Sequence, residues 1–219
     1  MPMHPGTVLG NDPLRTLRAA IVAALLVPTC AAAAQNDLRD LSIGMPVSAL
    51  PSSGYGGFAC TLDPAKKLTD WAAYQACPAS PDGTRAVSFR YGDGGSAGDE
   101  GGKTEVAGQP VELALLIGDK GRVAGIKIDT DPHARLYLRK KAFLFALQVR
   151  ARYGEDGWTC SQKSPTPEEQ PVGGTFFHEH CEKVTATRHL VLDRQLFHDP
   201  TKDLRDFTSA TQLTILGAG

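Results

Sequence analysis

The chain has 219 residues, of which 42% are hydrophobic, and it carries 23 Lys and Arg against 24 Asp and Glu. The formal net charge is −1, and no basic stripe runs along the chain, which argues against nucleic acid as a partner. Neither end carries a run of like charges that would indicate an interaction tail.

Residues 1–34 have the three-part layout of a secretory signal peptide. Arg15 and Arg18 form a basic region, residues 19–27 are apolar, and the following PTCAAAAQ offers small residues for cleavage near Ala34. The apolar run is too short for a transmembrane helix, which needs about 20 residues, and no later stretch reaches that length. The sequence predicts export to the periplasm or the medium, with no membrane span in the mature chain.

Cys30 offers a second processing route, as the lipid-bearing residue of a lipoprotein. The residues before it, Val27-Pro28-Thr29, make a poor lipobox, so cleavage near Ala34 is favoured. Removal of the leader leaves 185 residues (219 − 34), with 21 Lys and Arg against 23 Asp and Glu. That length suits one ordinary domain or two small ones.

The mature chain keeps an even number of cysteines: Cys60, Cys77, Cys160 and Cys181. In an oxidising compartment this composition predicts two disulfide bonds. We favour the pairs Cys60–Cys77 and Cys160–Cys181, because each closes a short local loop. Ligation of one metal ion by all four is disfavoured, since no C-x2-C pair is present.

The first half of the mature chain reads mostly as strands. Pro46 and Pro51 bound a single helical turn within residues 45–50, and residues 63–76 fit either a helix or a loop that leads into a strand at Cys77. Residues 85–91 alternate as a strand does.

A Gly-rich flexible loop is predicted over residues 92–110. After it, residues 111–117 and 122–129 flank Gly118-Asp119-Lys120-Gly121 and predict a β-hairpin.

The second half begins with the clearest helical pattern, residues 132–153. Asp131 can cap this helix, Pro132 suits its first turn and Gly154 can end it. Residues 175–184 and 188–197 predict a second hairpin, and residues 211–216 predict a last short strand.

These elements predict an α+β fold of two tandem units, each a helix with an antiparallel sheet and one disulfide. The first unit is expected over residues 35–130 and the second over residues 131–219. The order helix, Cys strand, Cys strand and two further strands occurs twice, although the two halves share almost no sequence identity.

The stretch LSIGMPVSALP, residues 41–51, resembles the IGM-x4-L helix start of small envelope modules. These include the small lipoprotein of the outer-membrane assembly machinery and the β-lactamase-inhibitor-protein-like fold, which is similar in its tandem helix-plus-sheet units with one disulfide each. The resemblance implies a binding or inhibitory module that works through a sheet face. No partner-contacting residue carries over from it.

The Gly-rich loop matches two catalytic patterns. Residues 97–104 fit a loose Walker A motif, and Ser96 lies in a G-x-S-x-G frame. Both patterns require a helix behind the loop, and Gly108-Gln109-Pro110 leaves no room for one. A flexible connector is the favoured interpretation; nucleotide binding is disfavoured, and a serine hydrolase that uses Ser96 is kept as a minor alternative.

The stretch FFHEHCEK, residues 176–183, is the better candidate for a site. His178 and His180 project to one face of a strand, and two imidazoles on one face can begin a zinc or copper site. His189 is the candidate third ligand, and Asp193 falls beside His180 across the predicted hairpin. The competing interpretation is an ordinary solvated face. Acidic residues such as Asp93, Asp99 and Glu100 lack the spacing of a calcium loop.

The sequence therefore favours an exported, disulfide-stabilised binding or inhibitory module that contacts another envelope protein through an open sheet face. The alternative is a periplasmic metal-binding protein that uses His178 and His180. No catalytic residue and no cofactor is assigned, and a non-enzymatic role is favoured over an enzymatic one.

Overall fold

A computed structural model describes residues 36–92 and 104–218 of the chain. In these ranges ten strands form one antiparallel sheet. The strands in chain order are β1 (Tyr55–Cys60), β2 (Asp63–Lys67), β3 (Arg85–Tyr91), β4 (Glu105–Val106), β5 (Gln109–Ile117), β6 (Val123–Thr130), β7 (Thr159–Gln162), β8 (Phe177–Val184), β9 (Arg188–Phe197) and β10 (Thr208–Gly217). Their order across the sheet is β2-β1-β3-β5-β6-β10-β9-β8-β7, and the short β4 pairs with β5.

The helical segments are short. They are 3₁₀ turns at Val47–Ala49, Trp71–Ala76 and Ala142–Leu144, and the α-helices α1 (Leu136–Arg139) and α2 (Phe145–Tyr153). Among the described residues no helix is both long enough and apolar enough to cross a membrane. All of the described residues belong to one compact unit.

Several predicted elements are confirmed. β3 has the predicted bounds, β5 and β6 pair as the hairpin around residues 118–121, and β8 and β9 pair as the second hairpin. The single turn expected within residues 45–50 is the 3₁₀ turn Val47–Ala49. The ambiguous stretch 63–76 contains strand β2 followed by a 3₁₀ turn, which Asp70 caps.

Both disulfide bonds are present with the predicted pairing, Cys60–Cys77 and Cys160–Cys181. Cys60 ends β1, and Cys77 follows the 3₁₀ turn Trp71–Ala76. Cys160 and Cys181 lie directly opposite each other on β7 and β8. The first disulfide is buried at both ends, whereas the second has an exposed cysteine, Cys160.

The predicted fold of two separate helix-plus-sheet units is wrong. β10, expected as the last short strand of a second unit, pairs with β9 on one side and with β6 on the other. Ile215, for example, lies opposite Ile126 of β6 and Leu190 of β9. The C-terminal strand therefore joins the two hairpins into one continuous sheet that runs across the boundary expected at residue 130.

The predicted long core helix over residues 132–153 is also wrong. The helix starts only at Leu136, breaks after Arg139 and resumes as a 3₁₀ turn that leads into α2. At the break, the buried hydroxyl of Thr211 on β10 donates a hydrogen bond of 2.9 Å to the carbonyl of Ala142. The same carbonyl also accepts the backbone N–H of Phe145, so the 3₁₀ turn that interrupts the helix is anchored to β10 at this point.

One face of the sheet carries the hydrophobic core. α2, the 3₁₀ turns and the segment before β1 cover this face. The largest fully buried apolar side chains are Phe145, Leu41, Leu115, Ile117, Ile126, Leu190, Leu192 and Ile215. The alternation of buried and half-exposed residues along β6, β9 and β10 shows that their remaining side chains project from the opposite face.

An ion pair fixes the N-terminal segment over this core. The buried carboxylate of Asp37 accepts hydrogen bonds from Arg188 Nε at 2.6 Å and Arg188 Nη2 at 2.9 Å. It also accepts one from the backbone N–H of Ile43 at 2.8 Å. Leu38 and Leu41, which lie between Asp37 and Ile43, are buried, so the segment closes the helix-bearing side of the sheet.

We predict that Thr211→Val lowers the free energy of unfolding by about 1–3 kcal/mol, because it removes the buried donor to Ala142 and keeps the side-chain shape. Thr214→Val, on the opposite face of the same strand, should change it by about 0.5 kcal/mol or less. Urea denaturation of the two variants measures both values. Equal effects would contradict the role given to Thr211.

Candidate binding face

The sheet face opposite the core forms the candidate site, and we call it the open face. Two of its rows of cross-strand neighbours, all half-exposed or exposed, run from β6 through β10, β9 and β8 to β7. The first row is Lys127, Thr214, Val191, Glu182 and Thr159. The second row is Asp129, Gln212, Asp193, His180 and Ser161.

A network of histidines and carboxylates lies at the β8–β9 end of the open face. The Nδ1 atom of His180 is 2.7 Å from Oδ1 of Asp193, and its Nε2 atom is 3.0 Å from Oε1 of Glu182. The other oxygen of Glu182 lies 3.0 Å from Nε2 of His189. One carboxylate thus joins the two imidazoles, and the second carboxylate orients His180.

This network changes the proton affinity of its members. The hydrogen bond to Asp193, and then the one to Glu182, raise the pKa of His180, because both carboxylates favour the imidazolium form. Hydrogen bonds from His180, and then from His189, lower the pKa of Glu182. His180 therefore holds its proton to a higher pH than an exposed histidine does, while both carboxylate neighbours accept its hydrogen bonds.

His178 is separate from this network. Its Nδ1 atom lies 3.1 Å from Oε1 of Glu169, and its ring stacks on Phe197 with 5.9 Å between the ring centroids. Of the three histidines predicted as metal ligands, the structure brings together His180 and His189, with Glu182 between them, and holds His178 elsewhere.

One group of three possible ligands within 4.8 Å of one another occurs in the described ranges, and it consists of Cys160, Glu179 and Cys181. Both sulfur atoms are engaged in a disulfide, so this group is not a thiolate metal site. Metal ligation by His178, His180 and His189 stays a prediction.

A groove of about 580 Å³ opens beside the network, along strands β7 and β8 and the loop at Gly157 that precedes β7. It is lined by Gly157, Thr159, Cys160, Ser161, His180, Glu182 and Val184. Val184 is 70% exposed and is the large apolar side chain at the rim. The groove therefore joins an apolar rim to hydroxyl, imidazole and carboxylate groups.

The two rows carry an excess of negative charge. They contain the carboxylates of Asp129, Asp193 and Glu182 and a single cation, Lys127, which gives −2 (1 − 3) when the histidines are neutral. Lys127 is already paired, with its Nζ atom 3.3 Å from Oδ2 of Asp129. The β8–β9 end is thus the acidic part of the open face.

The catalytic patterns of the Gly-rich segment fall mainly outside the described residues. Ser96 and all of the Walker A match except its last residue lie in residues 93–103. That last residue, Thr104, is buried, and its hydroxyl lies 3.2 Å from both the backbone nitrogen and the carbonyl oxygen of Tyr91. The chain then enters the β4–β5 hairpin, in place of the helix that either pattern requires.

Sequence reasoning found part of this site. The predicted register placed Asp193 beside His180, and this contact is confirmed. It missed Glu182 as the residue between the histidines, although strand alternation puts it on the same face as His180. The strand expected at Cys160 from the repeated order is β7, although its exposed TCSQ sequence carries no hydrophobic alternation.

No protein-family model matches this chain, and searches among curated proteins and solved structures find no significant match. The resemblance of residues 41–51 to small envelope modules therefore stays a prediction.

We predict that NMR titration finds the pKa of His180 above the ordinary value of about 6.5. The folded-state pKa is raised, so the stability that protonated His180 contributes is present below about 6.5 and is lost as pH rises through the folded-state pKa. Asp193→Asn should lower this pKa more than Glu182→Gln, because Asp193 is the larger cause. A titration unchanged in Asp193→Asn would show that the His180–Asp193 bond does not form in solution.

Proposed function

We propose that this chain is an exported binding module that contacts another envelope protein through its open face. The observation that carries the proposal is the asymmetry of the sheet. One face is closed by the helical segments, while the other presents two ordered rows of polar side chains beside a groove. Antiparallel sheets with one solvated face can use that face for recognition, because the strands fix the positions of its side chains.

The site is preorganised for contact. His180, Glu182, His189 and Asp193 are held by cross-strand hydrogen bonds, so a partner would order few side chains on binding. Preorganisation lowers the entropic cost of association, which often exceeds the gain from any single contact. The groove next to Val184 supplies a recess for an apolar side chain of the partner.

The charge of the open face defines the partner's chemistry. A surface with three carboxylates and one already paired lysine is complementary to a surface rich in Lys or Arg. Protonation of His180 makes the open face less negative, so acidification should weaken binding. A module that inhibits an enzyme fits the same description when the partner surface borders an active site.

Export is the second part of the proposal. Two disulfide bonds fit an oxidising compartment outside the cytoplasm. We propose that residues 1–34 act as a cleavable signal peptide. The route through a lipid on Cys30 is the alternative.

A metal-binding role is the second candidate function. It is supported by Glu182, whose two carboxylate oxygens lie 3.0 Å from His180 Nε2 and His189 Nε2. An ion that binds there would displace both hydrogen bonds and take imidazole and carboxylate ligands, a set that suits zinc. No observation on the described residues favours a serine hydrolase.

We predict that a photo-crosslinking amino acid at Gln212, on the open face, captures a partner from envelope extract. The same group at Leu147, which is 51% exposed on α2 at the opposite side of the sheet, should not capture it. Asp193→Lys should then weaken capture at Gln212 about tenfold, because it places a cation against a basic partner. The matched control is Asp206→Lys on an exposed loop, which should leave capture unchanged.

Circular dichroism spectra establish that the variants remain folded. Equal capture from Gln212 and Leu147, or capture at Gln212 that Asp193→Lys does not weaken, would overturn the proposal that the open face is the binding surface.

A further inference from the structure

The two disulfide bonds have contrasting surroundings. Cys60 and Cys77 are 0% and 1% exposed and lie in the hydrophobic core. Cys181 is likewise 0% exposed, but its partner Cys160 is an exposed residue on β7, an edge strand of the sheet. A thiol from solution can therefore approach Cys160, whereas the sulfurs of the first pair are shielded by packed side chains.

A cation lies beside the exposed disulfide. Nη2 of Arg150, in the last turns of α2, is 3.2 Å from Sγ of Cys181 and 3.3 Å from Sγ of Cys160. The Arg85 side chain near the other disulfide donates instead to the backbone carbonyl of Cys77. A guanidinium at hydrogen-bond distance favours the thiolate form of a cysteine and so improves it as a leaving group.

A carboxylate oxygen of Glu179 also lies within 4.8 Å of both sulfur atoms, but its charge is shared with a second cation. Glu179 is the nearest carboxylate, with Oε2 at 3.9 Å from Nη2 of Arg150, but the same oxygen is 2.8 Å from Nη2 of Arg194. Arg194 is thus the closer partner of Glu179. The face of Trp158 lies 5.7 Å from the Arg150 guanidinium carbon and helps to position it.

From this geometry we propose that Cys160–Cys181 is a thiol–disulfide exchange site for a dithiol reductant. A thiolate of the reductant attacks Sγ of Cys160 and forms a mixed disulfide. The electron pair of the broken S–S bond leaves on Cys181, whose thiolate is held by Arg150. The second thiol of the reductant then attacks the reductant's own sulfur in the mixed disulfide and releases Cys160.

The exchange is balanced: the protein disulfide takes up two electrons and two protons, and the dithiol becomes a disulfide. The exchange site is independent of the proposed binding function, since it involves only Arg150 and the disulfide. Reduction at this site would, however, also change the groove. Cys160 lines that groove, and β7 is tethered to β8 through this bond, so reduction would free one wall of the groove.

The test uses the folded, oxidised chain with any free thiol alkylated beforehand. Dithiothreitol is added at native pH, samples are quenched with acid and alkylated, and peptide mapping follows each disulfide separately. We expect Cys160–Cys181 to open about tenfold faster than Cys60–Cys77, or more. Opening of both disulfides at one common rate would overturn the proposal, because it would mean that exchange requires global unfolding.

Variants of Arg150 separate its chemical role from a structural one. Arg150→Gln should slow the opening of Cys160–Cys181 on the order of tenfold, through loss of the charge-assisted contact to the leaving thiolate. Arg150→Lys keeps the charge and should stay within about threefold of the parent rate. A residue that only packs the strand would, when replaced, loosen β7 and speed opening, so an unchanged or faster rate in Arg150→Gln overturns the proposal.

Discussion

Backbone pairing on both sides of β10 is the constraint on which the rest of this structure depends. β10 lies between β6 of one hairpin and β9 of the other, with Gln212–Leu216 paired on both sides. Because of this insertion, the two hairpins share one core and one open face. β10 (Thr208–Gly217) is far in sequence from β6 (Val123–Thr130), so their pairing closes a long loop, which is a slow event in folding.

The two faces of the sheet meet different physical demands. On the core face, the N-terminal segment is fixed by the Asp37–Arg188 pair and the helical segments are fitted to the sheet through Thr211 and Ala142. On the open face, polar side chains bond to one another across strands and keep their outer surfaces in water. We therefore propose that partner recognition takes place on the open face, where the sheet orders the side chains and the core does not require them.

Local sequence patterns were enough to predict those parts of the fold that residues close together in the chain form. The hairpin turns, the bounds of β3 and both disulfide pairs follow from residues close together in the chain. The β6–β10 pairing and the anchoring of the 3₁₀ turn at Ala142 depend on residues 208–217, which are distant in sequence from both. The helical pattern of residues 132–153 shows an apolar stripe but gives no sign of the bond from Thr211.

In the candidate sites, too, only contacts between residues close in sequence could be predicted. Asp193 beside His180 was predictable, because a hairpin fixes the register of its two strands. The position of Arg150 against the Cys160–Cys181 disulfide was not, since it requires the end of α2 to pack over β7 and β8. His178 shows the converse error: its alternation with His180 is correct, but Glu169 from a loop engages its ring.

Amide hydrogen exchange along β10, followed by NMR, tests the single-sheet architecture most directly. Alternate N–H groups of a central antiparallel strand point to its two neighbours. If β10 joins β6 and β9, every amide from Gln212 to Leu216 is predicted to be protected up to the global free energy of unfolding. If every second amide in this stretch exchanged as fast as an unpaired one, β10 would be an edge strand, and the single continuous sheet would be contradicted.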